Sequence, residues 1–332
     1  MDSNVSVAAY AVAALGGRGR SMTRGTLVVK MTRNKRCRIC AAFAIACLFA
    51  LEMSAEDQPK KYDLKLDWNA VEGHKTELSQ DGLQAMMMKV LNGDGKILKQ
   101  QEHNESRSFA AVEVISKVDD GKPTMSRWTF SKATEHREDQ DVPFAFQGRT
   151  VVVTKDPASK RHFAFDDGKP VSTEDASVLA ALWNSETEPG KLSGEEIFAP
   201  KSPVAVGEQW IPDIAMIAQG LEMGDGIDLK RSTVKVVLKS VEMRDGVEFG
   251  HIKIFMELWL TKFGPVQFDD PVSMKFEGDI DACIDGTQPD GTMNLTMSGN
   301  GHRAVKVDSP PGEVQISFEF DSKMQQRQKT IK

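Results

Sequence analysis

From residue 60 onward the chain alternates apolar and polar residues with a period of two. Between Tyr62 and Trp68, Leu64, Leu66 and Trp68 share one side while Asp63, Lys65 and Asp67 share the other, the pattern of a half-buried strand. Residues 109–115, 125–130 and 151–154 are further β-branched or aromatic runs. Asp119-Asp120-Gly121 lies between the first two and predicts a hairpin turn, because Gly adopts positive φ at little cost. The C-terminal half repeats the theme at greater length. Residues 234–241 lead through Arg244-Asp245-Gly246 into a run with Ile252, Ile254, Met256, Leu258 and Leu260 on one side. Met274, Phe276, Ile280, Ala282 and Ile284 follow, opposed by Lys275, Glu277, Asp279, Asp281 and Cys283. Met293, Leu295 and Met297 come next, and then Val314, Ile316, Phe318 and Phe320.

Long strands joined by short Asp/Gly turns are antiparallel neighbours, since parallel ones need long crossovers. One apolar side and one polar side indicate a sheet solvated on one face. The expected fold is therefore mainly β: a large curved antiparallel sheet, half-barrel-like and with two loosely similar halves (111–121 parallels 237–246), whose apolar face is covered by a few short helices. The middle of the chain supplies them. Ser172-x-x-Asp175 resembles a capping box ahead of a helix over 176–183 with Val178, Leu179 and Leu182 on one face. Asp213 caps a second short helix containing Ile214, Ile217 and Leu221, and residues 190–203 read as a Pro-rich linker.

The N-terminus follows different rules. Arg33, Lys35, Arg36 and Arg38 precede an unbroken apolar run of 13 residues over 39–51, and Met53-Ser54-Ala55 ends on a small residue before Glu56-Asp57. This is the layout of a secretory signal, and the run is shorter than the roughly 20 residues of a membrane span. The signal lies 30 residues into the chain, behind a segment rich in Ala, Gly, Ser and Arg without a core pattern. Translation is therefore expected to start at Met31. The expected organisation is a disordered extension upstream of the native start (1–30), a signal peptide (31–55), an N-terminal β region (56–171), a helical cover (172–223), a C-terminal β meander (224–321) and a frayed polar tail (322–332).

This division changes the arithmetic of the whole. The 332 residues carry 42 Lys+Arg and 48 Asp+Glu, a net charge of -6, with 40% hydrophobic residues. These values exclude a disordered, collagen-like or polytopic membrane chain. Residues 1–55 hold 8 of the basic and 2 of the acidic side chains, which leaves residues 56–332 with a net charge of -12. That field argues against nucleic acid as a partner. Cys37, Cys40 and Cys47 belong to the signal, so Cys283 is the one cysteine of the exported chain and no intrachain disulfide is expected. Ala44-Ile45-Ala46-Cys47 resembles a lipobox only faintly, because apolar residues continue to Leu51.

Candidate chemistry is sparse. Asn92-Gly93-Asp94-Gly95-Lys96-Ile97 has the middle of a calcium loop, but Val90 and Gln101 stand where its first and twelfth ligands belong, so a hairpin turn is expected. Asp279, Asp281, Asp285 and Asp290 form an acidic cluster read as a solvated face plus an Asp-Gly turn, with a weak calcium site as the alternative, since hard cations want several oxygens. No G-x-S-x-G, H-E-x-x-H or P-loop occurs. The six histidines, His74, His103, His136, His162, His251 and His302, show no metal-ligand spacing. Cys283 alternates onto the polar side as a bystander thiol. The expectation is no metal, no cofactor and no catalytic residue. The twelve methionines after the signal, Met86-Met87-Met88 among them, are core filler or an adaptable lining for an apolar ligand.

One segment carries a resemblance. Phe198-Ala-Pro-Lys-Ser-Pro-Val-Ala-Val-Gly-Glu-Gln-Trp210 resembles the P-V-x-V-G-[DE]-x-W segment (residues 203–210) of uncharacterised secreted bacterial β-rich proteins, in which a hydrophobic helix precedes the motif and a strand, Asp-Gly turn and strand follow. Residues 237–252 match that following unit, and the resemblance extends over 175–300. The overall plan is similar to lipoprotein-carrier-like half-barrels, which wrap a curved sheet around helices and an apolar cavity. Within the motif, of which Val206 is part, Gly207 is expected to supply a turn and Trp210 an apolar plug beside the sheet.

The leading expectation is a periplasmic or extracellular non-enzymatic protein, without a stable membrane span once the signal is removed. Its concave apolar face, lined by Met274, Phe276, Ile280, Ile284, Met293, Leu295 and Met297, would hold an apolar or lipid-like ligand. The alternatives are a structural or interaction protein of the cell envelope with a fully packed core, and a hydrolase assembled from scattered carboxylates. Mass spectrometry of the precursor in cells is expected to yield no peptide from residues 1–20. Finding one would place the start upstream of Met31.

Overall fold

The long alternating runs become strands of one antiparallel sheet. A computed structural model describes residues 59–137, 140–156, 161–182, 193–220, 226–263, 266–308 and 311–331, so the segments 1–30 and 31–55 lie outside the described residues. The N-terminal half supplies β2 (Lys75–Leu91), β3 (Ile97–Asp119), β4 (Lys122–Arg137), β5 (Gln140–Pro143), β6 (Thr150–Lys155) and β7 (Arg161–Phe165). The C-terminal half supplies β9 (Gln209–Trp210), β10 (Thr233–Arg244), β11 (Val247–Phe263), β12 (Val266–Cys283), β13 (Gly291–Asp308) and β14 (Pro311–Thr330). The order across this 12-stranded sheet is β7-β6-β4-β3-β2-β14-β13-β12-β11-β10-β9, with β5 also on β4. It does not close into a barrel. A separate pair joins β1 (Lys61–Tyr62) to β8 (Val204–Ala205).

Two hairpins form where Asp-Gly predicted them. Asp120 and Gly121 between β3 and β4 have φ of 48° and 71°, and Asp245 and Gly246 between β10 and β11 have 51° and 84°. Positive φ at both central residues is the turn whose twist matches that of the flanking strands. Asn92 closes the β2–β3 hairpin: its Oδ1 accepts from the backbone N–H of Asp94 (3.1 Å) and of Lys96 (2.8 Å).

The two halves bury separate cores on the same face. In the first, Leu78, Phe109, Ala111, Phe130, Ala133, Val151 and Phe165 pack with Phe146 and with Leu179 of α1 (Thr173–Leu182). Ser172 Oγ caps α1 by accepting from Asp175 N at 3.1 Å. In the second, Val236, Leu238, Ile252, Leu258, Val272 and Phe276 pack with Leu64 and with two helices, α2 (Gly194–Phe198) and α3 (Ile214–Gly220). Asp213 Oδ1 accepts from Ala215 N at the start of α3, as expected. The middle of the chain therefore covers both ends of one face.

Three expectations need correction. Regular pairing near the N-terminus is confined to Lys61–Tyr62; Leu64 enters the second core and Leu66 packs half-buried against it, but Trp68 lies against His74 in a tilted ring contact with centroids 4.8 Å apart. Within the expected linker 190–203, the described part contains α2, whose Ile197 and Phe198 are buried. Ser193 and Glu196 form a full capping box there, a signal that the neighbouring prolines mask. The tail does not fray. Residues Ser322 to Thr330 belong to β14 and pair on one side with β13 and on the other with β2. The Thr330 hydroxyl donates to Asp290 Oδ1, and Thr330 N reaches the same oxygen at 2.6 Å.

Among the described residues no helix is long and apolar enough to cross a membrane. Because β14 sits at the centre of the sheet, a chain ending at Asp321 is expected to lose its cooperative thermal transition by circular dichroism. A melting curve unchanged by that truncation would mean the segment is dispensable.

Candidate functional site

Cross-strand register defines what lies between the two cores. Partners in an antiparallel pair share a face, so rows can be traced across the sheet. One row runs Gly278–Leu295–Met324–Gly82–Arg107–Glu135, and its neighbour runs Phe276–Met297–Ser322–Gln84–Glu105. A third runs Ile280–Met293–Gln326–Gln80–Phe109–Ala133. All three lie on the core-bearing face. Phe276 and Ala133 at the ends are buried, whereas Met293, Leu295, Met297, Met324 and Gln80 are half-buried. The face is filled at its ends and open to solvent along its middle. Gly299 and Gly301 of β13 extend the apolar part: a Cβ at Gly299 would stand 2.5 Å from the Phe320 ring, and one at Gly301 2.6 Å from that of Phe318. Only glycine lets these rings lie against β13.

Of the residues expected to line a ligand site, Met274, Phe276 and Ile284 are buried members of the second core. Ile280 and Met297 are half-buried against it, and Met293 and Leu295 continue the strip toward the middle of the sheet. The expected set therefore divides into packing residues and a surface-accessible strip.

The strip ends on an ionic cluster that periodicity did not single out. Arg107 Nε lies 2.6 Å from Glu105 Oε1 and 2.9 Å from Glu135 Oε1. Arg137 pairs with the second oxygen of Glu135, and His103 Nε2 is 3.4 Å from Glu105 Oε2. Glu135 is only 3% exposed, which is tolerable for a carboxylate because two guanidinium groups satisfy it. Burial pushes the Glu105 carboxyl up, and its hydrogen bond with Glu135 adds to that. Burial also acts to raise Glu135, but hydrogen bonds from Arg137, Glu105 and Arg107 outweigh it and hold this carboxyl down. The sequence signal was a repeated Glu-x-Arg, at Glu105–Arg107 and Glu135–Arg137, which places charges two residues apart on one face.

The opposite face is polar and bears a cleft of about 720 Å3 across β4, β3, β2, β14 and β13. Its floor contains the rows Thr296–Lys323–Leu83–Ser106–His136 and Asn294–Gln325–Asp81–Ser108–Thr134. Of the expected ligand residues only Leu295 borders it.

Gly207 has φ of 84°, and its N–H donates to Leu238 O at 2.7 Å. Val206 is exposed, while Trp210 packs against the second core with Nε1 donating to Phe198 O at 2.7 Å. The acidic cluster is dispersed among other partners: Asp279 pairs with His251 and Lys253, Asp281 with Arg244, and Asp290 with Thr330. Asp285 accepts from Thr287 and from the buried Cys283 thiol. Among the described residues no group of three or more His, Cys, Asp or Glu side chains is placed to hold a metal.

The two glutamates make opposite contributions to stability. Glu105, raised in the folded state, stabilises fully below its ordinary value of 4.5 and loses that contribution as pH rises through its folded value. Glu135, lowered, stabilises above 4.5 and loses its contribution as pH falls through its folded value. At pH 7, Glu135→Gln is therefore expected to cost about 3 kcal/mol and Glu105→Gln close to nothing, as measured by urea unfolding. Equal losses would contradict the assignment. No protein-family model matches this chain, and no curated protein sequence matches it.

Proposed function

We propose that this is an exported, non-enzymatic binding protein for an amphiphile, held on the core-bearing face between the two helix-covered ends of the sheet. The observation that carries this reading is the half-buried strip of Met293, Leu295, Met297, Phe320 and Met324 left between two separately closed cores. Apolar surface left open between filled regions is the usual mark of a binding site, and methionine suits ligands of varied shape. The strip runs from apolar side chains on β12–β14 to Arg107 and Glu105 on β3, which matches a molecule with an apolar body and a polar head. Export is supported by the layout of residues 31–55, and the resemblance of the 203–210 segment to secreted β-rich proteins points the same way.

The competing readings have weaker support. Glu105 and Glu135 are a close carboxyl pair of divergent acidity, as a hydrolase needs, but both oxygens of Glu135 are engaged by arginines. For a strand-pairing envelope protein the obvious edge is β3 over residues 97–104, beyond its pairing with β4. That stretch carries Lys99, Glu102 and His103, charges of the kind that discourage strand addition.

The test is native mass spectrometry of the protein delipidated and then re-exposed to a phospholipid and fatty-acid extract. A bound mass is expected, and Leu295→Glu together with Met324→Glu is expected to remove it with the thermal transition unchanged. No bound mass on the parent protein, or one indifferent to both changes, would reject the reading.

A further inference from the structure

We propose that the amphiphile is a single-chain lipid whose head-to-chain junction seats over Gly82, with the acceptor oxygens of its head on Arg107. The proposal rests on the amphiphile reading and narrows it to one class of ligand.

Gly82 stands where a strand disfavours glycine. It lies inside β2, paired on both sides, opposite Met324 of β14 and Arg107 of β3. Glycine weakens a strand interior, and there it marks a bulge, a bend or a close approach by a ligand or another backbone. Neither register nor backbone conformation requires it here. Pairing with both neighbours runs through this position without a shift, and its φ is not positive. Nor does a neighbouring side chain take the space. At Gly250, Gly278, Gly291, Gly299 and Gly301 an atom stands within 3.4 Å of where a Cβ would be, whereas at Gly82 the nearest is the Lys323 carbonyl oxygen, 4.0 Å away. The row therefore has an empty notch on the core-bearing face. It is about 10 Å wide between the backbones of Met324 and Arg107, since strands lie about 4.8 Å apart.

Polar side chains beside the notch set the number of chains. On β13 the apolar strip is three residues wide, with Met293, Leu295 and Met297. On β14 it narrows to Met324, between Ser322 and Gln326, and on β2 to Gly82, between Gln84 and Gln80. Gln80 Nε2 donates to Met324 Sδ at 3.6 Å, which holds one wall in place. A strip one residue wide takes one acyl chain, because a second would desolvate the amides on either side. Length agrees. From Gly278 on β12 to Arg107 on β3 is four strand spacings, about 19 Å. One acyl chain in a bilayer spans roughly 15 Å, half of the hydrocarbon thickness.

Hydrogen bonding, not net charge, sets the head. Arg107 and Arg137 are balanced by Glu105 and Glu135, so the cluster does not select an anion. Arg107 engages those glutamates through Nε and Nη2, and its Nη1 has no partner among the described residues. Gln84 adds an amide beside the notch. Such donors suit carboxyl, ester and glycerol oxygens, the head groups of fatty acids and monoacylglycerols.

Native mass spectrometry of the delipidated protein in an equimolar mixture of palmitic acid, monopalmitoylglycerol and dipalmitoyl phosphatidylglycerol tests the assignment. One single-chain lipid per protein is expected, at least tenfold in excess of the two-chain lipid. Gly82→Leu fills the notch and is expected to lower that occupancy at least tenfold, with the thermal transition unchanged or raised. Gly82→Ala, whose methyl meets nothing nearer than 4.0 Å, is expected to fold as the parent does and to lower occupancy at least twofold, which keeps the test in force if leucine perturbs the sheet. The proposal is overturned if the two-chain lipid binds as well as the single-chain ones, or if neither variant weakens single-chain binding. A two-chain lipid lost on Leu295→Glu would then leave the amphiphile reading standing, whereas a parent protein that retains no lipid from this mixture or from the extract rejects both.

Discussion

The pairing of the last strand with the first long one holds the architecture together. β14 lies against β2 from Gln315 opposite Leu91 to Thr330 opposite Thr76, and through it a meander that would have two ends becomes one sheet with two halves. Register is the demanding part of this pairing. A slip of β14 by one residue against β2 would turn Phe320 to the polar face and Glu319 to the core-bearing one. With register set, the apolar side chains of both halves point the same way, and the two cores form on one face. The route of the middle segment follows from the same pairing. β7 and β9 lie at opposite edges, so the chain between them has to pass from one edge to the other, and its helices fall on the face that needs covering.

That arrangement leaves the centre of the face neither packed nor fully wet. Phe318 and Phe320 lie against glycines of β13 and carry apolar surface outward from the second core. On β3 and β4 the same rows turn to Arg107, Glu105 and Glu135. Burying such a cluster is costly unless each charge is paired, and here each of these three has a partner. The cluster therefore works as a divider: it ends the apolar strip without collapsing it, and keeps the two cores from merging.

Much of the fold was legible because its signals are local. Alternation in 247–260 and 274–284, the Asp-Gly turns, and the caps at Ser172 and Asp213 all act within a few residues. Alternation located Met293, Leu295 and Met297 on the right face, but it did not separate them from Met274, Phe276 and Ile284, which are core. A period of two reports which side a residue faces, and burial depends on what lies over it. The misses share another cause. In 99–108 and 325–330 both faces of the strand are polar, so pairing occurs without any hydrophobic period to announce it. α2 was hidden because prolines on its C-terminal side read as linker, although Ser193 and Glu196 carried the cap.

The sequence by itself determined the class of fold, the turns, the caps, the charge of residues 56–332 and the two-sided character of the strands, since each depends on neighbours one to four residues apart. Tertiary structure decided the rest: that β14 belongs at the centre, and that Glu105, Arg107, Glu135 and Arg137 meet. Those juxtapositions arise from the register between strands far apart in the chain, and register is a property of the assembled sheet that no single strand encodes.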